Sequence, residues 1–499
     1  MIIIWQYWPA LISAAFCCYF LHELLWIKKR RRLPPGPKGL PILGNLHQLG
    51  KNPHQDLCKL AKKHGPIMHM KFGTVPAIVV SSPEAAEKFL KTYDQVFASR
   101  PHHEGSWHLG YEQRNLTFSP YGPYWRKIRQ LCNSHLLSNK IISSFESMRR
   151  AEVGLLVESL KRVASDGAAV DFSTDIRSLG ANMSCLMIFG KKYLDKDFKD
   201  KRFGNVVRES LEISALINLG DYFPLVRVLD LQGFTRRFKK IAKVYDDLLE
   251  KIIDDHVNSQ DQNETKDFVD ILMDIMESGK SEFDFDRRHV KAILLDMLIA
   301  SMDSTMATVE WTLSELIRHP QTMKKLQKEI EDKVGNARIL EESDLEGLVY
   351  LDMVVKESMR LHPVATLGLP HESLEDCIVD GFHLEKRTRL IINIWAIGRD
   401  PCVWTDPESF IPERFLGSSV DLQGHDFKLI PFGFGRRSCP GLQLALTVMR
   451  FVLAQLVHCF DWKLADNVEP SHLDMSETFG IVTSRAKSLK VVPIYRLQK

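Results

Sequence analysis

A glycine-rich loop that ends in a cysteine is the part of the sequence best suited to chemistry. Its residues are Phe432-Gly433-Phe434-Gly435-Arg436-Arg437-Ser438-Cys439-Pro440-Gly441. The apolar run from Leu442 to Phe460 follows directly and predicts a helix. Cys439 would then lie just before a helix N-terminus, where the helix dipole and unpaired N–H groups lower a thiol pKa. The loop therefore predicts a thiolate.

A thiolate at this position has two interpretations. It can be a ligand of haem iron, to which it supplies electron density that favours O–O cleavage. Arg437 can pair with a haem propionate, and glycines allow a backbone to approach a flat ligand closely. The alternative is a structural cysteine buried in a turn, which is what an isolated cysteine would indicate.

An acid stands beside two alcohols in the middle of a long helix. The helix is predicted over 288–319, because no glycine or proline interrupts it before Pro320. Asp303 is followed there by Ser304 and Thr305. An adjacent acid and alcohol can relay a proton, and general acid chemistry contributes about 10²–10⁴-fold. The alternative is a polar stretch on a half-exposed helix, and such residues also bend helices by bonding to the i−4 carbonyl.

Two further pairs share a helix face. Glu357 and Arg360 are three residues apart on a helix predicted over 344–361. Trp125 and Arg129 are four residues apart and can point at one ligand.

The rest of the chain predicts a mainly α protein with a minor β-sheet component. Alternating apolar segments at 66–82, 377–394 and 480–494 predict strands, and helical periodicity dominates elsewhere. Nine scattered cysteines without a CxxC argue against a disulfide framework or a zinc site. The net charge of +3 gives no indication of nucleic-acid binding. No dinucleotide fingerprint occurs, so any electrons must come from a partner.

The N-terminus predicts a membrane anchor. Residues Ile2 to Leu21 are almost wholly apolar, and about 20 such residues span a bilayer. Five consecutive basic residues at 28–32 then place this end in the cytosol by the positive-inside rule. A cleaved signal peptide is the alternative, but the charge follows the apolar run and no small-residue cleavage site precedes it. We therefore expect an anchor over 1–27, a basic and proline-rich hinge over 28–44, and one catalytic domain over 45–499.

The motifs together resemble those of the cytochrome P-450 superfamily. Phe432, Gly435, Arg437, Cys439 and Gly441 match its haem-loop signature FxxGxRxCxG. Glu357 and Arg360 match its ExxR motif, and residues 412–415 match PERF. The stretches at 97–101, 121–126 and 395–401 resemble the plant A-type microsomal branch, and the resemblance covers nearly the whole chain.

This resemblance implies a cofactor and a set of site residues. The cofactor is haem b, with its iron bound axially by the Cys439 thiolate. The implied cofactor-binding residues are Cys439, Arg437, Trp125, Arg129, His371, Phe432, Gly435 and Gly441. Glu357, Arg360 and Arg414 would form a buried charged network. Asp303 with Ser304 or Thr305 would relay protons during oxygen activation, although Ser301 stands where the family usually has glycine and Ser304 where it has threonine.

The resemblance also implies a reaction, partners and a location. The reaction is insertion of one oxygen atom from O₂ into a lipophilic small molecule, with terpenoids favoured over phenolics or alkaloids. Electrons would come from NADPH through NADPH-cytochrome P-450 reductase, with cytochrome b5 as a second candidate partner. The expected location is the endoplasmic reticulum membrane, crossed once, with the catalytic domain in the cytosol. The alternatives are a haem-thiolate isomerase or dehydratase that works without reductase, and a non-enzymatic haem-binding protein.

Overall fold

A computed structural model describes residues 32–193, 202–214, 216–258, 265–279 and 283–497. The predicted anchor over 1–27 lies outside the described residues. The helices, in chain order, are α1 Pro53–His64, α2 Pro83–Glu87, α3 Glu104–Leu109, α4 Pro123–His135, α5 Asn139–Ser144, α6 Glu146–Ser165, α7 Phe172–Phe189, α8 Arg202–Ser214, α9 Leu219–Tyr222, α10 Phe234–Asn258, α11 Phe268–Glu277, α12 Arg287–Met302, α13 Ser304–Arg318, α14 Pro320–Val334, α15 Val349–Leu361, α16 Ile394–Ile397 and α17 Leu442–Cys459. The strands are β1 Ile67–Phe72, β2 Val75–Val80, β3 Val170–Asp171, β4 His371–Glu372, β5 Cys377–Val379, β6 Phe382–Leu384, β7 Arg389–Ile392, β8 Phe460–Leu464, β9 Glu477–Thr478, β10 Ser484–Arg485 and β11 Lys490–Tyr495.

The strands form small sheets at the edges of a helical body, as the sequence predicts. The largest has the order β1-β2-β7-β4, in which only β2 and β7 are parallel. A second sheet has the order β3-β11-β8, and β5–β6 and β9–β10 are short antiparallel pairs. The mainly α architecture with minor sheets is confirmed.

Local sequence explains where several helices begin. Proline occupies the first turn of α4 and α14, where its missing N–H has no partner to lose. Asp286 caps α12 by accepting from the N–H groups of Arg288 and His289. The helix predicted over 344–361 begins only at Val349, after a 3₁₀ turn at Glu342–Leu345.

The two most apolar long helical segments form the centre of the core. Residues Arg287–Arg318 and Leu442–Cys459 are long and apolar enough to cross a membrane, but 67% and 61% of their most apolar windows are buried inside the protein. The described residues thus offer two core helical segments of this kind, packed against each other where α13 meets α17.

The predicted continuous helix over 288–319 is wrong in one respect. It is interrupted at Asp303, which has φ −112° and ψ −35° and separates α12 from α13. The Ser301 hydroxyl donates to the Met297 carbonyl at 2.7 Å, and the Ser304 hydroxyl donates to the Ala300 carbonyl at 2.8 Å. Side chains that bond to the i−4 carbonyl bend helices, which gives the interruption a local cause.

Helix α7 packs closely against the interrupted helix. Ser301 also donates to the Ser184 hydroxyl on α7 at 2.8 Å. A Cβ added at Gly180 would lie 2.4 Å from the Met302 carbonyl oxygen, so glycine is required for this close approach. The break is therefore fixed from outside the helix as well as from within it.

Candidate active site

Cys439 lies three residues before α17, as predicted. Its N–H donates to the Phe432 carbonyl at 2.8 Å, which closes the loop. Gly435 forms the tight part of this loop with φ +69°, and a Cβ there would lie 2.6 Å from the Asp94 carboxylate. The loop backbone at Gly435 therefore packs directly against Asp94, which lies between α2 and α3.

The pKa of the Cys439 thiol is raised in the structure, whereas the sequence predicts that it is lowered. Burial is the largest influence and raises the pKa, while the Gly441 N–H and the Arg129 guanidinium lower it. The expected helix-terminal stabilisation of the thiolate is present, but it is smaller than the desolvation. Coordination of a metal ion deprotonates a thiol outright, so this residue can still bind as thiolate.

We infer an internal cavity beside the Cys439 side chain. The residue is exposed by surface area, yet it is surrounded deeply enough for burial to dominate its pKa. Across the break between α12 and α13, the residues of 296–304 that are at least partly accessible are Asp296, Ile299, Ala300, Ser301, Asp303 and Ser304. All of them except Ser301 follow Asp296 at intervals of three, four, seven or eight positions and so share one face. We define this cavity stripe as Asp296, Ile299, Ala300, Asp303 and Ser304.

Buried positive charge lies next to the cysteine loop. Arg437 donates to the carbonyls of Ala98 at 2.7 Å and Ser119 at 2.6 Å, and its guanidinium stacks over the Trp125 ring at 4.1 Å. Burial lowers its pKa to about 8, and the nearby guanidinium of Arg100 lowers it in the same direction. A desolvated cation with only carbonyl partners favours binding of an anion.

Arg100 joins Arg437 in a cation cluster, and the His371 ring lies beside the two guanidinium groups. Arg100 is 6% exposed and donates to the carbonyls of Leu369 at 2.7 Å and Pro370 at 3.0 Å. Burial lowers its pKa to about 9. His371 bonds through Nδ1 to the Phe97 carbonyl at 2.8 Å, and burial followed by the charge of Arg100 lowers its pKa well below the ordinary value. Within the described part of the chain, no carboxylate makes an ion pair with Arg100 or Arg437.

Helix α4 contributes its two predicted residues differently. Trp125 is buried, and its indole N–H donates to the Leu116 carbonyl at 3.0 Å rather than standing free. Arg129 lies on the same face and approaches the Ser438 hydroxyl at 3.4 Å, next to the cysteine. Trp125 thus provides a ring surface under Arg437, and Arg129 provides charge at the cysteine.

The acid and alcohols separate into two environments. Asp303 is half-buried, and burial raises its pKa while Arg177 on α7 partly opposes that shift. Ser304 lies on the cavity stripe, whereas Thr305 is 8% exposed and lies off it. Of the two alcohols that the sequence offers, Ser304 is the one that faces the cavity together with Asp303.

Comparison with known proteins decides the family. A sequence model described as cytochrome P450 matches residues 34–491. The chain is 46% identical over 495 residues to "Cytochrome P450 CYP736A12" of Panax ginseng, covering 97% of this chain and 98% of the relative. The chain belongs to the cytochrome P450 family. This confirms the predicted family, and with it the monooxygenase class and the use of haem bound by a cysteine thiolate, for which Cys439 is the residue in the signature.

Other plant cytochromes P450 are almost as similar over their full lengths. The chain is 42% identical over 480 residues to "Flavonoid 3'-monooxygenase" of Arabidopsis thaliana, covering 93% of this chain and 92% of that protein. It is 39% identical over 498 residues to "Flavonoid 3'-monooxygenase CYP75B137" of Crocosmia x crocosmiiflora, covering 97% of each. Both of these relatives are named as flavonoid 3'-monooxygenases.

The residues of this P450 fit a haem. Haem carries two carboxylates on one edge, and the cation cluster supplies buried cations that have only carbonyl partners. The Phe432 carbonyl accepts from the Cys439 N–H, and a Cβ at Gly441 would lie 3.9 Å from the Cys439 sulfur, at ordinary contact distance. Sequence reasoning missed Arg100. The only sequence signal for Arg100 is its position before Pro101 in the stretch 97–101, which resembles the plant branch.

The remaining predicted motif forms a buried charged network. Glu357 and Arg360 are fully buried and share two hydrogen bonds of 2.8 Å. Arg414 donates to the same Glu357 side chain at 2.9 Å. Arg360 also donates to the carbonyls of Gly398 at 2.6 Å and Pro407 at 2.7 Å. The network therefore joins α15 to the chain that precedes the cysteine loop.

Proposed function

We propose that this cytochrome P450 is a membrane-bound monooxygenase that inserts one oxygen atom from O₂ into a lipophilic small molecule. Electrons come from NADPH through a reductase, and cytochrome b5 is a second electron donor to test. The observation that carries the proposal is the Cys439 thiol, which borders the inferred internal cavity beside buried cations. The haem supplies the oxygen-activating chemistry when it is bound.

The protein side of the mechanism follows from the geometry. Arg437, Arg100 and His371 would hold the haem carboxylates, and Arg129 would add positive charge at the cysteine. Asp303 is placed to donate a proton, because burial raises the pKa of its carboxyl above the ordinary aspartate value. The Ser304 hydroxyl, which bonds to the Ala300 carbonyl, can pass that proton into the cavity. Ile299 and Ala300 line the same face and limit the entry of water.

The substrate class is proposed from the sequence and the relatives together. The apolar part of the cavity stripe accommodates a lipophilic molecule with few charged groups, and a terpenoid is our first candidate. Flavonoids are the second candidate, because two relatives carry the name flavonoid 3'-monooxygenase. One screen that contains both classes distinguishes them.

The membrane association has support outside the anchor. The 3₁₀ turn Pro224–Leu229 exposes Leu225 at 92% and Val228 at 87%, and Leu40, Ile42 and Leu43 are also exposed. The two segments meet at the β1–β2 turn: Gly73 N–H donates to the Leu43 carbonyl and Thr74 N–H to the Tyr222 carbonyl. We define this membrane patch as Leu40, Ile42, Leu43, Leu225 and Val228. Exposed apolar groups so close to an N-terminal anchor fit insertion into a bilayer, here the cytosolic face of the endoplasmic reticulum.

The reductase has a candidate docking groove on another face. An open groove of about 440 Å³ is lined by Tyr121, Trp125, Arg126, Arg129, Gln130, Asn133, Ser134 and Arg436. Three arginines give it a positive potential, and Arg129 connects it to the cysteine loop through Ser438. Lys127, which follows Arg126 in the sequence, is not part of this lining.

The first test is the reduced, CO-bound difference spectrum of the full chain in microsomes. We expect the strongly red-shifted band of thiolate-bound haem, its loss in Cys439→Ala and its retention in Cys402→Ala, since Cys402 is an exposed cysteine outside the loop. Product formation must then require NADPH and reductase. Product without them would support the isomerase or dehydratase alternative, and haem without any NADPH-dependent product from either class would support the non-enzymatic one.

A further inference from the structure

Asp296 is a carboxylate on the cavity stripe to which the proposed chemistry assigns no role. It lies on α12, seven residues before Asp303, so both face the same side of the helix. Burial raises its pKa, and hydrogen bonds from the segment 115–117 oppose that shift. A carboxylate in this position needs donors, because an unpaired buried charge is strongly unfavourable.

Both carboxylate oxygens of Asp296 bind one segment of the loop between α3 and α4. The Asn115 side-chain amide donates to Oδ1 at 2.7 Å, and the Thr117 backbone N–H donates to Oδ2 at 2.8 Å. Asn115 also accepts from the Ser106 hydroxyl at 3.3 Å, which ties the segment to α3. Asp296 therefore fixes the position of the loop on the cavity wall.

The loop needs this anchorage because it starts in a strained conformation. Tyr111, Glu112 and Gln113 have φ values of 51°, 63° and 59°, three consecutive left-handed residues that are not glycine. Each costs about 1–2 kcal/mol relative to ordinary backbone. Such a turn persists only when its surroundings hold it.

The other side of the same loop orients the cation cluster. The Leu116 carbonyl accepts from the Trp125 indole at 3.0 Å and from Arg437 at 3.4 Å, and the Ser119 carbonyl accepts from Arg437 at 2.6 Å. Leu116 lies between the two residues that Asp296 holds. A shift of this segment away from α12 would therefore move the acceptors that fix the Arg437 guanidinium.

We propose that Asp296 is a positioning residue for the reaction: it clamps the segment 115–117 to α12, and through that segment it sets the cavity wall and the orientation of Arg437. The functional part of this inference rests on the proposed monooxygenase activity. The clamp itself does not, because it can be measured on the haem-loaded protein at rest.

The test exchanges the side chains at positions 296 and 115, first singly and then together. In Asp296→Asn the carboxamide can satisfy only one of the two donors, and in Asn115→Asp two carboxylates face each other. In the double variant the amide and the carboxylate have changed places. The amide at position 296 can donate to the carboxylate at position 115 while its oxygen accepts from the Thr117 N–H, so both bonds return. Hydrogen exchange of the segment 112–119, followed by mass spectrometry on the full-chain holoenzyme, reports on the Thr117 bond directly.

We expect exchange at least about tenfold faster in each single variant, which corresponds to about 1.4 kcal/mol, and within about threefold of the wild type in the double variant. Glu310→Gln is the matched control, since Glu310 is a buried acid on α13 that contacts Ser173 and not the loop. It should leave the exchange of this segment unchanged. If Asp296→Asn does not yield holoenzyme, Asn115→Ala removes one donor without adding charge and must also speed exchange.

Two results would overturn the clamp: unchanged exchange in Asp296→Asn, or a double variant no better than either single variant. The functional readout is the amount of product formed per NADPH consumed. We expect this ratio to fall at least about threefold in the single variants and to recover in the double variant. KM should be affected more than kcat. If the double variant restores the hydrogen-exchange rate of the segment 112–119 but not the product formed per NADPH, the positioning role is refuted. If the wild type forms no NADPH-dependent product, the proposed function fails, while the exchange data still decide the clamp.

Discussion

The cysteine loop and the segment between α8 and α10 are held in opposite ways. Around the loop, charged side chains reach carbonyls far away in sequence, as Arg437 does at Ala98 and Ser119. In the other segment, the 3₁₀ turn Pro224–Leu229 has no buried residue, and Leu225 and Val228 stand almost fully exposed. One region is fixed by buried polar bonds and the other presents apolar surface outward.

The difference between the two regions indicates where the fold restricts residue type and where it does not. Buried charges are costly unless every partner is in place, so the haem side tolerates little change in residue type or spacing. The side chains of the turn Pro224–Leu229 make few polar contacts, such as that of Arg227 with Glu104 at 3.7 Å. Many sequences can satisfy such a surface. This is why the residues reveal the chemistry of the protein more readily than its substrate.

The largest effect should come from breaking the buried network on the haem side. In Glu357→Ala, the guanidinium groups of Arg360 and Arg414 lose their shared carboxylate. Leaving a buried charge unpaired costs about 3–5 kcal/mol. We expect little or no haem incorporation, measured as the thiolate CO-difference band per unit of purified protein, and Arg360→Ala should behave alike.

A surface ion pair provides the control for this variant. Arg338 binds Asp344 at 2.7 Å, but its side chain is 49% exposed and solvent screens the pair. Arg338→Ala should leave haem content unchanged. Normal haem content in Glu357→Ala would show that the haem side is not held by this network, and the contrast between the two regions would lose its basis.

The same contrast explains how far sequence reasoning reached. The cysteine loop and the Glu357–Arg360 pair could be predicted from the sequence, because the spacing of their residues forms recognisable motifs. Arg100 and Asp296 could not, because their roles depend on carbonyls and amides brought close only by the fold. The tendency of Ser304 to bend the helix could be inferred from its residue type, but the position of the break could not, because it also depends on the contact of Ser301 with α7. The anchor over 1–27 stays a prediction.

The membrane patch gives the next largest expected effect. We would compare a chain that begins at residue 32 with its Leu225→Ser, Val228→Ser variant for binding to vesicles. Burial of one such side chain contributes about 1.5–3 kcal/mol when complete. Partial insertion of two should contribute ~2 kcal/mol, so vesicle affinity should fall ~30-fold.

The control for the patch is a pair of equally apolar residues on another surface. Leu155 and Leu416 are exposed at 59% and 72% and do not belong to the patch. Leu155→Ser, Leu416→Ser should bind vesicles like the parent chain. Equal loss in both double variants would mean that general hydrophobicity, and not this surface, determines membrane binding.

Asp303→Asn should slow product formation at least about tenfold while haem binding persists. Because the pKa of Asp303 is raised, the folded protein loses stability as the pH rises from the ordinary aspartate pKa to the raised one, and this cost persists at higher pH. The amide variant removes the cost and should be no less stable than the wild type at neutral pH. The wild-type rate should also fall as the pH rises through the raised pKa, and the variant should lack that step.

Substitution of the neighbouring alcohols sharpens the assignment of the relay. Ser304→Ala removes the hydroxyl on the cavity stripe, whereas Thr305→Val removes one that lies off it. We expect fewer product molecules per NADPH consumed in Ser304→Ala and little change in Thr305→Val. The reverse order would assign the proton transfer to Thr305 and would mean that the break at Asp303 orients the other alcohol.

The smallest effect concerns the groove beside the cysteine loop. Arg126 is exposed, whereas Arg436 is already paired with Asp94 at 3.0 Å, so Arg126 contributes the less compensated charge. In Arg126→Gln, the first electron transfer from reductase should slow about two- to fivefold at low salt, because charges at the edge of an interface act mainly on association rate. The difference should vanish as the Debye length falls below about 8 Å. Lys63→Gln, which removes an exposed charge on α1, should change nothing at any salt concentration. A wild-type reduction rate that does not depend on salt would show that the groove has no electrostatic role. The haem side and the substrate side would then differ in the bonds that hold them, but not in offering a charged surface to a partner.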